Sequence, residues 1–300
     1  MQRVSYLGPA GTFTEAACRQ LVHPSAELVP AATPPAALAL VRDGVVDAAC
    51  VPIENSVEGS VPPTLDALAS GSRLQVVAET ELAIRFSVLV RPGTAAADVR
   101  TVRTHPHAAA QVQGWLQEHL PWADLQVGGS TAAAAHEVQQ GTADAAVATA
   151  LVGRQLGLQP LAEGVADVAD ARTRFVLVVP PCPPPPRTGA DRTSVVLTLD
   201  NTPGALVQAM SELGLRGIDL TRIESRPTRT AMGTYRFYLD WVGHVEDPVV
   251  AEALAALHRR CTELRFLGSW PAAVTDPGSP PPPPGDAAQW VASMRTGGQE

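Results

Sequence analysis

Two carboxylates, an amide and two hydroxyls crowd into seven positions, Glu54-Asn55-Ser56 and Glu58-Gly59-Ser60, directly after the apolar run Val45–Ile53. A run of that length closing in polar residues reads as a buried strand that enters a binding loop. In an open α/β sheet, ligands gather at the carboxyl ends of the strands. Groups of these types can hold the oxygens of an anion or move a proton. They also fit a plainer reading, in which Ser56 or Ser60 caps a helix starting near Pro62-Pro63. Companion segments have to decide between the two.

Three such segments exist. Gly8-Pro9-Ala10-Gly11-Thr12-Phe13-Thr14-Glu15 is a glycine-bracketed turn opening a helix, where exposed amides favour an anion; equally, Thr12 caps that helix with Glu15 completing a capping box. In a presumed second lobe, His105-Pro106-His107-Ala108 leads one helix, carrying Gln111, Val112, Trp115 and Leu116, and Gly128-Gly129-Ser130-Thr131 leads another. Histidines two positions apart do not share a helix face, so they predict no metal site, and His105 suits a capping role. The third segment, Asp170-Ala171-Arg172-Thr173-Arg174-Phe175, precedes the apolar strand Val176–Val179 and offers a hydroxyl, a guanidinium and a ring at adjacent positions.

The elements that must position these groups divide into blocks. Two proline-rich breaks, at 180–186 and 280–284, set off a first domain over 1–180, a linker over 181–192, a second domain over 193–272 and a tail over 273–300. The tail is expected to be disordered, with Trp290, Val291 and Met294 able to form a short docking helix. Inside the first domain, residues 41–51 and 138–148 match at five of eleven positions, each as a helix, a loop with aspartate and a strand. Two similar α/β lobes follow, with a ligand cleft between them. The second domain reads β-α-β-β-α-β, a ferredoxin-like order, with Tyr235, Phe237, Leu239 and Trp241 alternating against Arg236, Tyr238 and Asp240.

Composition removes several functions. Of 300 residues, 45% are hydrophobic and 17% charged, enough for real cores, and the 22 basic residues are all arginines. Without lysine there is no Schiff base, no pyridoxal-phosphate anchor and no Gly-Lys-Ser/Thr phosphate loop. A net charge of -8 argues against nucleic acid as a partner. No 18-residue apolar stretch or signal-type start is present, so no membrane role and a cytoplasmic address are expected, in keeping with four scattered cysteines.

In that chain order, the segments at Gly8 to Glu15, Pro52 to Val61, His105 to Gln111, Ser130 to Ala135 and Thr173-Arg174-Phe175 make the chain resemble the prephenate dehydratases, over residues 3 to about 271. The family often has asparagine two residues before the threonine, where Ala171 stands here. The resemblance implies a two-lobed, periplasmic-binding-protein-like catalytic domain and a ferredoxin-like ACT domain. It implies no cofactor and no metal. The implied reaction turns prephenate into phenylpyruvate, in the biosynthesis of phenylalanine. Thr173 would assist the departing hydroxyl, Arg174 would pair a substrate carboxylate, and Phe175 would pack beneath the ring or in the core. Thr12, Asn55, Ser56, Gln111, Ser130 and Thr131 would complete the polar lining, with Glu54 either taking part in proton transfer or bracing the loop.

In the second domain, Gly204-Ala205-Leu206-Val207 and Glu224-Ser225-Arg226-Pro227 are similar to the two ACT motifs that hold phenylalanine as feedback inhibitor. The implied assembly is a homodimer or homotetramer joined through ACT domains; a plainer alternative gives the unit oligomerisation alone. No chorismate mutase helices precede Tyr6, so a monofunctional enzyme is expected. Two rivals stand beside this expectation: an arogenate dehydratase, and a nonenzymatic solute sensor built on the same cleft and ACT unit.

Overall fold

A computed structural model describes residues 1–168, 170–229, 233–273, 278–283 and 287–297, without the side chains of 287–289. The described chain forms two units, Met1–Ala67 with Thr80–Pro180, and Leu68–Glu79 with Pro181–Glu300. Assigning Leu68–Glu79 to the second unit departs from the sequence expectation, which left that stretch in the first domain.

The first unit is built from one pattern used twice. Strand β1 (Arg3–Leu7), helix α1 (Phe13–Leu21), β2 (Glu27–Ala31), α2 (Pro34–Arg42) and β3 (Ala48–Asn55) give three parallel strands ordered β2-β1-β3. The short β4 (Gly59–Ser60) folds back on β3, α3 (Pro62–Leu68) and β5 (Gln75–Ala83) follow, and β6 (Ser87–Val90) opens the second lobe. There β7 (Thr101–Thr104), α4 (Pro106–Ala110), α5 (Gln113–His119), β8 (Asp124–Val127), α6 (Thr131–Gln140) and β9 (Ala145–Ala148) repeat the arrangement, with β8-β7-β9 parallel. Helix α7 (Ala150–Leu156) and β10 (Gln159–Glu163) complete that lobe, and β11 (Arg172–Val179) returns to the first sheet, antiparallel to β3.

Each lobe therefore holds a parallel triplet flanked by an antiparallel strand, β2-β1-β3-β11-β5 and β10-β6-β9-β7-β8. The two copies of the sequence repeat fall at equivalent places, the ends of α2 and α6 leading into β3 and β9. Strands β3 and β9 are buried on both faces, which explains their unbroken apolar runs.

Two details differ from expectation where the site is concerned. Strand β3 runs on to Asn55, so Glu54 and Asn55 sit on the sheet and not in a loop. The helix expected from Pro106 breaks at Gln111 and Val112. Asp167 causes this: its N–H donates to the Gln111 carbonyl (2.6 Å), and its carboxylate accepts the N–H groups of Gly114 and Trp115 (both 2.9 Å), starting α5 afresh.

The second unit carries β12 (Asp191–Thr198), α8 (Ala205–Gly214), β13 (Leu220–Pro227), β14 (Tyr235–Val242), α9 (Pro248–Arg260) and β15 (Glu263–Pro271), its sheet ordered β13-β14-β12-β15 and antiparallel throughout. Both helices cover one face through Leu213, Val250 and Leu257. On the alternate positions of β14, Tyr238 and Asp240 are buried as well. Asp240 accepts from Ser194 Oγ (2.7 Å) and lies 3.8 Å from the Arg222 guanidinium.

Residues Leu68–Glu79 pack on this unit, where Glu79 pairs with Arg192 at 3.1 Å in full burial. Gly268 permits the approach: at φ 143°, a Cβ there would stand 2.3 Å from the Val76 carbonyl oxygen. The described part of the tail is partly anchored, Ser279 N–H donating to Asp219 Oδ2 (2.9 Å). A helix α10 (Ala287–Arg295) does form, with Trp290, Val291 and Met294 exposed. Disorder expected at 274–277, 284–286 and 298–300 lies outside the described residues. Among the described residues no helix is long and apolar enough to cross a membrane.

Candidate functional site

The carboxyl ends of β1, β2, β3, β7 and β8 open on a cleft of about 370 Å³ in the first unit, lined from both lobes. Its chemistry starts at a cross-strand pair. On β11, Thr173 lies opposite Asn55 and Arg174 opposite Glu54, and the pleat turns neighbouring side chains to opposite faces. Asn55 Oδ1 accepts the N–H groups of Val57 (2.8 Å) and Glu58 (3.1 Å), which settles which end of the amide is which. Its Nδ2 therefore donates to Thr173 Oγ1, at 2.8 Å. The threonine oxygen is used as an acceptor there, which leaves its own proton available to a group in the cleft.

Two helix starts supply positive potential. At α1, Thr12 Oγ1 accepts the Glu15 N–H (3.3 Å) and donates to the Leu7 carbonyl (3.1 Å). The buried Glu15 carboxylate accepts the Gly11 N–H (2.6 Å), one residue beyond a standard capping box, and pairs with Arg19 at 2.6 Å. Gly11 has φ 86°, and a Cβ there would stand 2.5 Å from Val152 of the second lobe, so only glycine fits. At α6, Ser130 Oγ accepts the Ala133 N–H at 3.0 Å. Thr12, Phe13 and Thr14 from one lobe, and Gly129, Ser130 and Thr131 from the other, line the cleft, so both helices present first-turn amides to it.

The ionisable lining comes from His105, His107 and Glu58. His105 caps α4, its Nδ1 accepting the His107 N–H at 3.3 Å; burial first, then the neighbouring imidazole, depress its pKa against the opposing pull of Glu58. The two rings lie tilted by 31° with centroids 5.0 Å apart. His107 Nδ1 pairs with Glu58 Oε2 across the cleft, and Gln111 Nε2 donates to Glu58 Oε1 at 3.3 Å. Apolar walls come from Ile84, Phe86, Phe175 and Phe13, the last packed edge-on to Phe86 with centroids 5.6 Å apart.

Of the residues expected from sequence, Thr12, Asn55, Gln111, Ser130, Thr131, Thr173 and Phe175 come together in this lining. Glu54, Ser56 and Arg174 do not. Arg174 is buried on the other face of β11 and pairs with Glu54 at 3.7 Å, while Ser56 Oγ accepts the Arg172 N–H at 2.9 Å and ties the hairpin to β11. Strand alternation explains why three adjacent positions cannot all face one cleft. Sequence reasoning counted Glu58 in the binding loop but gave it no role, and passed over the Ile84-Phe86 wall, which nothing short of topology marked. Among the described residues no group of three or more His, Cys, Asp or Glu could hold a metal ion.

The second unit has a smaller crevice lined by Leu199, Asp200, Asn201, Thr202, Ala205, Leu206, Gly233, Tyr235 and Phe237. Gly204, in the left-handed region, caps α8 beside it, and Val207 is exposed on the same helix. Glu224, Ser225, Arg226 and Pro227 lie along β13, paired with Tyr238, Phe237, Arg236 and Tyr235 of β14, and are outside the crevice lining.

Comparison with known proteins gives a concordant result. The family model for prephenate dehydratase matches residues 4–181. A prephenate dehydratase of Mycolicibacterium vanbaalenii is 58% identical over 99% of this chain and 99% of its own. Among solved structures, the prephenate dehydratase of Arthrobacter aurescens in complex with L-Phe superposes with a TM-score of 0.90 at 44% identity, covering 98% of this chain and 99% of that one. A protein described as GqqA, a novel type of quorum quenching acylase, gives 0.81 at 33% identity over 90% of this chain and 98% of its own.

Proposed function

This chain belongs to the prephenate dehydratase family, and from that premise we propose that the cleft around Thr173 binds prephenate and expels its ring carboxylate and hydroxyl together. The prephenate dianion plus one proton gives the phenylpyruvate anion, carbon dioxide and water. Aromatisation of the ring drives the reaction. The protein has to hold two carboxylates and stabilise the departing hydroxide in a site with little water.

The observation that carries this reading is the direction of one hydrogen bond. Because Asn55 Nδ2 donates to Thr173 Oγ1, the threonine hydroxyl is oriented as a donor toward the leaving oxygen. Threonine is too weak an acid to be the proton's source, so it stabilises the developing charge and passes on a proton taken up by the cleft. The substrate's two carboxylates rest on the amino ends of α1 and α6, one from each lobe. Phe13, Phe86 and Phe175 exclude water around the ring. Arg174 acts as a positioning residue: its pairing with Glu54 holds the register that sets Thr173 opposite Asn55.

An acyl-transfer reading finds no support in the cleft. Among the described residues, none of its hydroxyls, on Thr12, Thr14, Ser130, Thr131 and Thr173, is hydrogen-bonded to a histidine or carboxylate base.

The second unit is read as an ACT domain that binds phenylalanine beside Gly204 and pairs with another copy of the chain, so that the product pathway's end restrains its own enzyme. Its β-α-β-β-α-β order and the L-Phe held by the Arthrobacter relative support this. The direct test follows phenylpyruvate formation from prephenate by the purified protein, with and without phenylalanine. No turnover removes the dehydratase reading; turnover that phenylalanine leaves unchanged, with no heat of binding, removes the regulatory one.

A further inference from the structure

Two cleft substrates of equal shape differ in one group: prephenate has a ketone where arogenate has an ammonium. Resting on the dehydratase reading above, we propose that Glu58 decides between them, and that His107 and Gln111 mask it so that the keto acid is taken.

The chain has no aspartate in the cleft lining, and Glu58 supplies its only carboxylate among the described residues. A bound ammonium needs such a partner, because neutral oxygens replace its lost hydration poorly. Both oxygens of Glu58 are already engaged from the opposite lobe, Oε2 by His107 Nδ1 and Oε1 by Gln111 Nε2. The backbone beneath this carboxylate is anchored as well: Asn55 Oδ1 accepts the Glu58 N–H at 3.1 Å while its Nδ2 holds Thr173, so the main chain of Glu58 and the catalytic hydroxyl share one amide.

The mask has a second effect. An unpaired carboxylate beside a dianion repels it, and the imidazole partner offsets that repulsion. Unmasking Glu58 therefore weakens the keto substrate and strengthens the amino one. Unlike the buried Gln111, His107 is an exposed residue of α4, and its removal leaves no buried polar atom unpaired.

The test measures kcat/KM for prephenate and for arogenate with the full-length protein, the His107→Ala variant, the Glu58→Gln variant and the double variant, each checked for folding by thermal melting. The wild type should prefer prephenate. His107→Ala should raise the arogenate-to-prephenate ratio about tenfold or more, the scale of a hydrogen bond to a charged group. Adding Glu58→Gln should return the ratio to that of Glu58→Gln alone, because the unmasked charge is gone. A ratio that His107→Ala leaves unmoved, or a shift that survives in the double variant, overturns the proposal. A wild type that turns over neither substrate overturns the dehydratase reading itself.

Discussion

The two walls of the cleft are built by opposite means. The first-lobe wall carries Asn55 and Thr173 on adjacent antiparallel strands, where register and an amide held at both ends place the hydroxyl oxygen. The second-lobe wall carries Gln111, His105, His107, Ser130 and Thr131 at or beside helix starts, where first-turn amides do the binding and side chains can change partners. The difference separates two tasks. Orientation of a reacting group is placed on the least deformable backbone, and recognition of charge is placed on helix ends, which need no lysine or arginine side chain in the lining.

The sharpest way to break that comparison is to remove the first wall's donor. Thr173→Val keeps the shape of the side chain and loses the hydroxyl. Its kcat for prephenate should fall by about 10²–10³, the effect of losing one oriented donor, while Thr173→Ser should recover most of it. A valine variant as fast as the wild type would take the chemistry away from this wall. Next in size is Asn55→Asp, which exchanges the donor for an acceptor and turns the threonine proton back toward residue 55. The kcat should drop by about 10–10² with KM little changed, since Thr173 is still present but aimed wrongly.

On the second wall the balance should reverse. Ser130→Ala removes the cap of α6, lowering stability by about 1 kcal/mol and loosening the amides that face the cleft. KM for prephenate should rise several-fold with kcat within about a factor of two. A loss confined to kcat would show that the two walls do not divide the work in this way.

How far these walls could be read in the sequence follows from the kind of signal each leaves. Local chemistry was legible: the caps at Thr12, His105 and Ser130, a buried strand within 45–53 and the repeat that becomes two equivalent lobes all follow from neighbours in the chain, although the strand runs two residues further than its apolar run. Family resemblance put Thr173 and Asn55 in one site, but their pairing, 118 residues apart, was not read, because no local pattern encodes a cross-strand partner. Facing was the weak point. Thr173, Arg174 and Phe175 were read as one projecting cluster, whereas strand alternation sends the arginine to Glu54 on the far side. Likewise Asp167 breaks the helix at Gln111 from 56 positions downstream of it, a capping group that no reading of residues 105–116 alone could supply.

The smallest expected effect probes how dry the second wall is. Burial and the neighbouring His107 push the His105 pKa below its usual 6.5, so the native state takes up this proton less readily than the unfolded chain does. Above that usual value both states are neutral at His105 and the group costs nothing. As the pH falls through it, the unfolded chain is protonated first and native stability declines, until the depressed native value is also passed. His105→Asn keeps an acceptor for the His107 N–H and a good cap while removing the titration. Urea midpoints taken between about pH 7 and pH 5 should therefore fall less steeply for the variant than for the wild type. Identical slopes would mean that His105 meets water as freely in the folded cleft as in the unfolded chain, and the contrast between a rigid, dry first wall and an adaptable second one would then extend to hydration as well as geometry.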